Sequence, residues 1–486
     1  MQIADRVERR RWSRSRAAAW LIGVGALALA LVACERLGFQ DEAEEERRGS
    51  STQRAAPSSG SSSRPDRRTT PREGARQLLP ADRTYGVISG VLSWEDPGLR
   101  GFSTRSRKDL ELARVLEARG VPKGRIRVLL DEAATTSAIL DAVAAAAKQA
   151  PQGSTLLFYY AGHGVRGGDG KIYFASQDMR SAAPEPTGLS LDRLADAIAE
   201  SFRGQRVVLM ADCCYSGALR GVVDRLGQRG IAAVSLTSAA AANVSTNNWT
   251  FSQAIIDALD GDLLCDEDGD GIIVLQELAT EVRAAMLYRE GQRFGYHRAA
   301  VPEQVVVAKS RRRAASAGRV PDDRRRYVEI ETPQGWRVAR VRAIRDGKLT
   351  ARTFDYAEST DHQVATSAAR AIEFRRYPAG ADIEVYWGGK VWAAKVERAE
   401  GEFHFISYPG WAAYWNEWVT SRRIVDASAD DQALSKAVAV MVEWRGTWYP
   451  AKVLDRKAGR YLIRYDGYDA SWDEWVGPRR VRLARP

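Results

Sequence analysis

Hydrophobic positions along this chain follow three rhythms, and each predicts a different kind of element. Ala17 to Ala33 is one unbroken apolar run, AAAWLIGVGALALALVA, preceded by the basic stretch from Arg9 to Arg16. From about Tyr85 to Ala308, short aliphatic runs of strand length (YGVISGVLSW, IRVLL, STLLFYYAG, RVVLMADCC, IAAVSLTS) alternate with segments of helical spacing (RKDLELARVLEARG, TTSAILDAVAAAAKQA, SLDRLADAIAESF). Strand and helix in alternation predict an α/β domain, a mainly parallel sheet flanked by helices, with its ligand site at the carboxyl ends of the strands. Beyond Arg326 the pattern changes to short alternating strands broken by Gly turns, which predicts small all-β barrel repeats.

The apolar run is at the short end for a membrane-spanning helix, and its basic flank marks it as export machinery rather than fold. Leu31-Val32-Ala33 before Cys34 resembles the lipobox of bacterial lipoproteins. The resemblance implies a signal peptide over 1–33 and lipidation at Cys34, a membrane anchor holding the protein in the cell envelope, outside the cytoplasm. An uncleaved signal anchor is the alternative. Residues 34–82 are acidic, then rich in Ser, Arg, Pro and Gly, and predict a flexible stalk, because such a segment cannot bury enough apolar surface to offset its ordering entropy.

Composition narrows the classes further. At roughly 100 to 200 residues per domain, 486 residues allow two to four domains. The balance of 72 basic against 62 acidic residues, 72 − 62 = +10, is modest for this length and does not by itself argue for a nucleic-acid partner. A 45% hydrophobic and 28% charged chain is neither wholly disordered nor a multi-span membrane protein. The four cysteines, at 34, 213, 214 and 265, form no CxxC pair, and with four histidines they exclude a zinc site of the usual spacing and a disulfide scaffold. Each cysteine is therefore read singly.

Two polar constellations fall at strand ends. STLLFYY runs into Ala161-Gly162-His163-Gly164, and RVVLM into Ala211-Asp212-Cys213-Cys214-Tyr215-Ser216-Gly217. A cysteine at a strand end can face a neighbouring imidazole, which activates the thiol and later protonates the leaving amine. The plainer reading is a buried Cys pair and a loop His satisfying local backbone; the placement of both motifs at sequential strand ends favours catalysis. The Gly-rich run from Gly164 to Gly170 before Lys171 is no phosphate loop, since Val165 stands where the first Gly belongs and Ile172 where Ser or Thr does.

FYYAGHG followed by DCCYSG, with 214 − 163 = 51 residues from His to Cys, resembles the caspase-fold cysteine peptidases, in particular the metacaspase and orthocaspase branch. The similarity spans nearly the whole of Tyr85 to Ala308 within a domain placed at 83–308, including DEAATTSAILDAV and NWTFSQAIIDAL. It implies a cysteine endopeptidase acting on peptide or protein substrates, with Cys214 as nucleophile, His163 as base, and the amides of Gly164 and Cys214 as oxyanion donors. Cys213 is then a packing residue. Asp212 is implied in an acidic S1 pocket that takes Arg or Lys. A second family Asp at the start of the first helix is displaced: LRGFSTRSRKDL offers Arg105, Arg107 or Lys108 there, with Asp109 one position late. A basic residue over Asp212 would weaken the pocket or favour an acidic P1; basic P1 is the expectation.

Asp266-Glu267-Asp268-Gly269-Asp270-Gly271-Ile272-Ile273-Val274-Leu275-Gln276-Glu277 carries the acidic residues, Gly, hydrophobic and terminal Glu of an EF-hand loop at their required positions. Calcium is the expected ion, held by the carboxylates of Asp266, Asp268 and Asp270, the carbonyl of Ile272 and a bidentate Glu277. A solvated acidic turn capping LQELATEVRAAML is the alternative. One loop implies no cooperative sensing.

After a basic linker at 309–326 the chain repeats. WGGKVWAAKV from Trp387 recurs as WRGTWYPAKV from Trp444, and YPGWAAYWNEWV from Tyr408 as YDGYDASWDEWV from Tyr465, at an offset of 444 − 387 = 57. The copies occupy 380–426 and 436–484, with a fainter one at 327–376. They resemble Tudor-knot or chromo-barrel modules, which bind nucleic acid or methylated lysine. Tyr408, Trp415, Trp418, Tyr465, Trp472 and Trp475 are the candidate ligand-site aromatics, because aromatic faces attract cations and stack bases. At least half of the 14 tryptophans are expected in cores. Together these features predict a lipid-anchored, calcium-binding, caspase-like endopeptidase; the rival is an anchored binding protein whose barrels carry the function.

Overall fold

The computed structural model describes residues 77–245, 248–311, 327–332, 335–355, 358–387, 390–425, 439–444, 447–457, 460–477 and 480–483. The expected signal peptide, Cys34, most of the stalk and most of the linker lie outside the described residues. The chain divides into two compact units, one reaching Ala285 and resuming over Phe294–Arg313, the other taking Met286–Arg293 and continuing from Ala314.

In the first unit a six-stranded sheet runs in the order β2 (Ile126–Leu130), β1 (Thr84–Gly90), β3 (Thr155–Ala161), β7 (Arg206–Asp212), β8 (Ala232–Thr237), β10 (Gly295–Ala299). All neighbours are parallel except β10, which closes the edge antiparallel to β8. Central strand β3 is buried along its whole length, as its unbroken apolar run requires of a strand covered on both sides. Leu156, Phe158 and Tyr160 share one cluster with α2 (Thr136–Gln149), α3 (Leu191–Ser201) and α4 (Leu219–Gln228). Their neighbours Leu157 and Tyr159 point to the opposite face, as a period of two demands, where α1 (Lys108–Ala118), α5 (Thr250–Leu259) and α6 (Leu275–Ala285) pack in succession. A small sheet of β4 (Gly164–Arg166), β5 (Ile172–Phe174) and β6 (Leu189–Ser190) continues from the end of β3, and β9 (Ile272–Val274) pairs with β11 (Val306–Lys309).

This unit begins earlier than the sequence pattern indicates. Leu78 and Leu79 are buried, the amide of Leu78 donates to the carbonyl of Val306, and Thr155 Oγ1 donates to the carbonyl of Leu78. The run is too short for periodicity to register, so Gln77–Pro80 read as stalk.

The second unit holds three five-stranded antiparallel sheets of one topology: β12 (Tyr327–Thr332) to β16 (Ala369–Ala371), β17 (Asp382–Trp387) to β21 (Ile424–Val425), and β22 (Ala439–Trp444) to β26 (Val481–Leu483). In each, the first strand lies between the second and the fifth. The second strand bulges at the same place in all three, between Val341 and Ala343, Val396 and Arg398, and Val453 and Asp455. A bulge bends its strand, and here it curls each sheet around its own cluster. These cores are aliphatic, with Val385, Val396, Ile406 and Val419 in the second and Val440, Val442, Val453 and Ile463 in the third. The expectation for tryptophan fails: among tryptophans whose side chains are described, only Trp249 and Trp418 are buried. Five short strands enclose too little volume for several indoles, so Val, Ile and Ala fill the interior and the indoles go to the rim.

Candidate functional site

The parallel register sets Ala161 at the end of β3 opposite Asp212 at the end of β7. Beyond those residues the chains stay in contact. A Cβ built on Gly164 would lie 1.9 Å from the carbonyl oxygen of Cys214, so only glycine permits this approach. His163 and Cys214, 51 residues apart in sequence, thus leave adjacent strands on touching backbone. Tyr215, directly after Cys214, takes a left-handed conformation at φ 55°, uncommon for a non-glycine residue. Its amide donates to the carbonyl of Asn243 at 2.8 Å, which holds the sharp turn.

The loop from β1 to α1 encloses the imidazole, which sequence reasoning missed. His163 lies between Trp94 (centroids 4.6 Å apart) and Phe102 (4.5 Å). Its Nε2 is 2.8 Å from the carbonyl of Arg100; a carbonyl only accepts, so Nε2 carries the proton and Nδ1 the lone pair when the ring is neutral. Trp94 is itself held by Nε1 donating to the carbonyl of Ala175 at 3.0 Å, and Tyr160 Oη donates to the carbonyl of His163. Burial pushes the His163 pKa below its ordinary value, against the opposing pull of the Arg100 carbonyl. Burial pushes the half-buried Cys214 thiol up, opposed by the amides of Ser245, at 3.2 Å from Sγ, and of Cys214 itself. Both shifts favour the neutral forms, thiol and imidazole, at rest. Cys213 is 2% exposed, and burial raises its thiol pKa well above normal.

Of the three basic residues at the start of α1, Arg107 and Lys108 are paired with other carboxylates. Arg107 pairs with Asp109 at 2.8 Å and with Asp131, and donates to the carbonyl of Gly90; Lys108 pairs with Glu111 at 2.6 Å. Asp109 is fully buried beneath Arg107. Arg105 is exposed. Asp212 instead accepts from Ser252 Oγ at 2.6 Å.

The acidic loop sits between α5 and α6. Carboxylate oxygens of Asp266, Asp268 and Asp270 converge within 4.8 Å of one another, and Asp266 Oδ1 is buried without a hydrogen-bond partner among the described residues. Gly271, at φ 90°, makes the turn its position needs. Ile272 enters β9, paired with Lys309. Glu277 lies outside the aspartate cluster, its Oε1 accepting from the amide of Glu267 at 2.7 Å and its Oε2 from Val274 at 2.9 Å. Burial pushes its pKa up to about 7. Three converging carboxylates, one orphaned buried oxygen and a buried fourth carboxylate are a donor set suited to a hard divalent cation.

In the second barrel Trp415 meets Trp387 and Trp411, with centroids 6.2 and 5.7 Å apart, and Trp411 meets Trp392 at 5.4 Å, all steeply inclined. Trp411 is half exposed. In the third barrel Trp472 and Tyr468, which stand at the 57-residue offset from Trp415 and Trp411, lie 5.4 Å apart, while Tyr449, at the offset from Trp392, meets Tyr465 at 6.0 Å. Tyr408 and Tyr465 are tied down instead: each hydroxyl donates to a glutamate, Glu417 at 2.7 Å and Glu474 at 2.6 Å, which Arg423 and Arg480 clamp from the other side. Trp418 does not join the cluster; it is buried, with Arg293 3.8 Å from its ring centroid. Trp475, its counterpart, is half-buried. In the first barrel β14 (Lys348–Asp355) and β15 (Glu358–Ala365) form a tight hairpin where the others carry the aromatic loop.

Residues 104–310 match the family model described as a caspase domain, and 434–483 that described as RNA binding activity-knot of a chromodomain, the Tudor-knot. The chain carries a caspase domain followed by a Tudor-knot domain. No curated protein matches it. Among solved structures it is similar to a Geobacter sulfurreducens protein (15% identity, TM-score 0.34, covering 47% of this chain and 97% of that one). It is also similar to the four MBT repeats of Drosophila melanogaster Sfmbt in complex with a methylated peptide (10%, TM-score 0.20, 32% and 63%). A third likeness is to Arabidopsis thaliana AGDP1 (18%, TM-score 0.13, 22% and 82%).

Since burial by Trp94 helps lower the His163 pKa, Trp94→Ala should raise it back towards its ordinary value of about 6.5. Imidazole resonances of the four histidines, followed by NMR against pH, read this directly; an unmoved His163 titration would remove Trp94 from that role.

Proposed function

We propose that this chain is an exported, lipid-anchored cysteine endopeptidase using a His163–Cys214 dyad and cleaving after Arg or Lys. The observation that carries the reading is the junction of β3 and β7, where His163-Gly164 and Cys214 emerge on backbones in contact. With Nε2–H directed at Arg100, Nδ1 of His163 is the atom left to take the thiol proton as sulfur attacks the scissile carbonyl. The same proton then goes to the leaving amine. The amides of Gly164 and Cys214 are the donors for the oxyanion. At P1, Asp212 supplies the anion for a basic side chain, and the commitment of Arg107 and Lys108 to other carboxylates supports this choice. Cys214→Ala and His163→Ala should each lower peptidase activity by about a thousand-fold or more, while Cys213→Ala stays within a few-fold. Full activity in Cys214→Ala would overturn the assignment.

The loop 266–277 is proposed to bind calcium through Asp266, Asp268, Asp270, the carbonyl of Ile272 and Glu277. The ion would supply charge neutralisation for the loop and stability by mass action, about 2.7 kcal/mol at a concentration 100 times its dissociation constant. Calcium should therefore raise the unfolding midpoint of the protein and not that of Asp266→Ala/Glu277→Gln, measured by calorimetry. A midpoint indifferent to calcium would count against it.

Export and anchoring follow from the leader and LVAC. Cys34→Ser should abolish labelling by a radioactive fatty acid, and persistent labelling would exclude Cys34 as the acceptor.

The exposed tryptophans favour a second reading, an anchored binding protein whose barrels take a cationic or stacking ligand while the caspase domain is inactive. Absence of any Cys214-dependent cleavage across a peptide library would select it.

A further inference from the structure

The hydroxyl chain behind Asp212 gives the proposed P1 pocket a part that neither motif nor comparison assigns. Ser252 lies in the first turn of α5 and is 1% exposed; Tyr159 lies on β3, fully buried. Their oxygens are 2.6 Å apart, and Ser252 Oγ is 2.6 Å from Asp212 Oδ2. An ionised carboxylate has no proton to give, so the hydrogen of Ser252 points to Asp212. The Ser252 oxygen is then the acceptor for the Tyr159 hydroxyl. Burial, with the Asp212 charge next in weight, raises the Tyr159 pKa well above its ordinary value, so the phenol keeps that hydrogen. The direction of every bond is thereby fixed, from Tyr159 to Ser252 to Asp212.

We infer that Ser252 and Tyr159 are positioning residues that hold the Asp212 carboxylate in the orientation from which it selects a basic P1 side chain. A carboxylate at a strand end has two side-chain torsions to fix, and a donor on a neighbouring helix, backed by a phenol from the sheet, leaves it one setting. A bond to a charged group is among the stronger ones, and the network is buried, where such bonds polarise one another. Nothing in the local sequence FSQAII marks Ser252; helical spacing alone reads it as filler between apolar positions.

The inference rests on the reading of Asp212 as the P1 anion, and the test separates the two. Full-length protein is alkylated at Cys214 with iodoacetamide in the presence of increasing agmatine, a small guanidinium probe that mimics an Arg side chain. Protection is scored against each variant's own rate without agmatine. The same set is assayed on peptides with Arg or its neutral isostere citrulline at P1. Ser252→Ala should need about ten-fold more agmatine for half protection and lower the Arg-to-citrulline ratio of kcat/KM by a similar factor, mostly through KM. Ser252→Thr, which keeps the hydroxyl, should restore both. Tyr159→Phe, which removes only the phenolic oxygen, should shift both by about three-fold, and it reads the same chain should Ser252→Ala fail to fold. Wild-type values in Ser252→Ala beside a large loss in Asp212→Asn would overturn the positioning role and leave the P1 reading standing. Wild-type values in Asp212→Asn as well, or no protection of the wild type by agmatine, would overturn both.

Discussion

The approach of two backbones at the carboxyl edge of a parallel sheet is the constraint on which the candidate site depends. Parallel strands in register deliver their ends side by side, and whatever follows each end is brought together without further design. Here β3 and β7 end at Ala161 and Asp212 as register partners. The residues beyond must then pass one another at a separation that leaves no room for a side chain at 164. The left-handed turn at Tyr215 is the complementary feature: it redirects the chain at once after Cys214, at a local conformational cost that the folded surroundings sustain.

Charge placement around this edge follows from desolvation. Asp109 is fully buried, and an isolated carboxylate there would be far too costly, so Arg107 is drawn down onto it and onto Asp131. A guanidinium so engaged, with a third bond to the Gly90 carbonyl, is withdrawn from the surface above. The arginine that in sequence threatens an acidic pocket is in space the counter-ion of a different carboxylate. One position of displacement along a helix start accounts for the ambiguity, since residues 105, 107, 108 and 109 point in different directions once α1 begins at Lys108.

What was legible in the sequence was what repeats or sits at a strand end. Unbroken apolar runs announce a sheet covered on both faces, and the motifs that terminate two of them announce the site. The enclosure of His163 was not legible, because Trp94, Arg100 and Phe102 lie in a loop whose contribution is two ring faces and a backbone carbonyl, neither of which has a sequence pattern. The barrels show the opposite failure. Their 57-residue repeat is plain, yet the large area of an indole favours burial, and only the small volume that five short strands enclose decides against it. The residues that do cluster, Trp387, Trp392 and Trp411 with Trp415, come from the two strands of one hairpin and the aromatic loop, a convergence set by strand register rather than spacing.

Helix α5 gathers the remaining threads of the first unit. The chain entering it places the amide of Ser245 on Cys214 Sγ, its first turn places Ser252 on Asp212, and its last residue, Leu259, leads towards the acidic loop at 266–277. The short strand that leaves this loop, β9, is braced by β11, with which it pairs. Arg119 adds a brace of its own, donating to the carbonyls of Leu259 and Val307 and so tying the end of α5 to β11. Both ends of α5 are thus fixed by polar contacts to elements that do not otherwise touch in sequence. A helix held at both ends in this way presents Ser252 from one place to the strand end that carries Asp212.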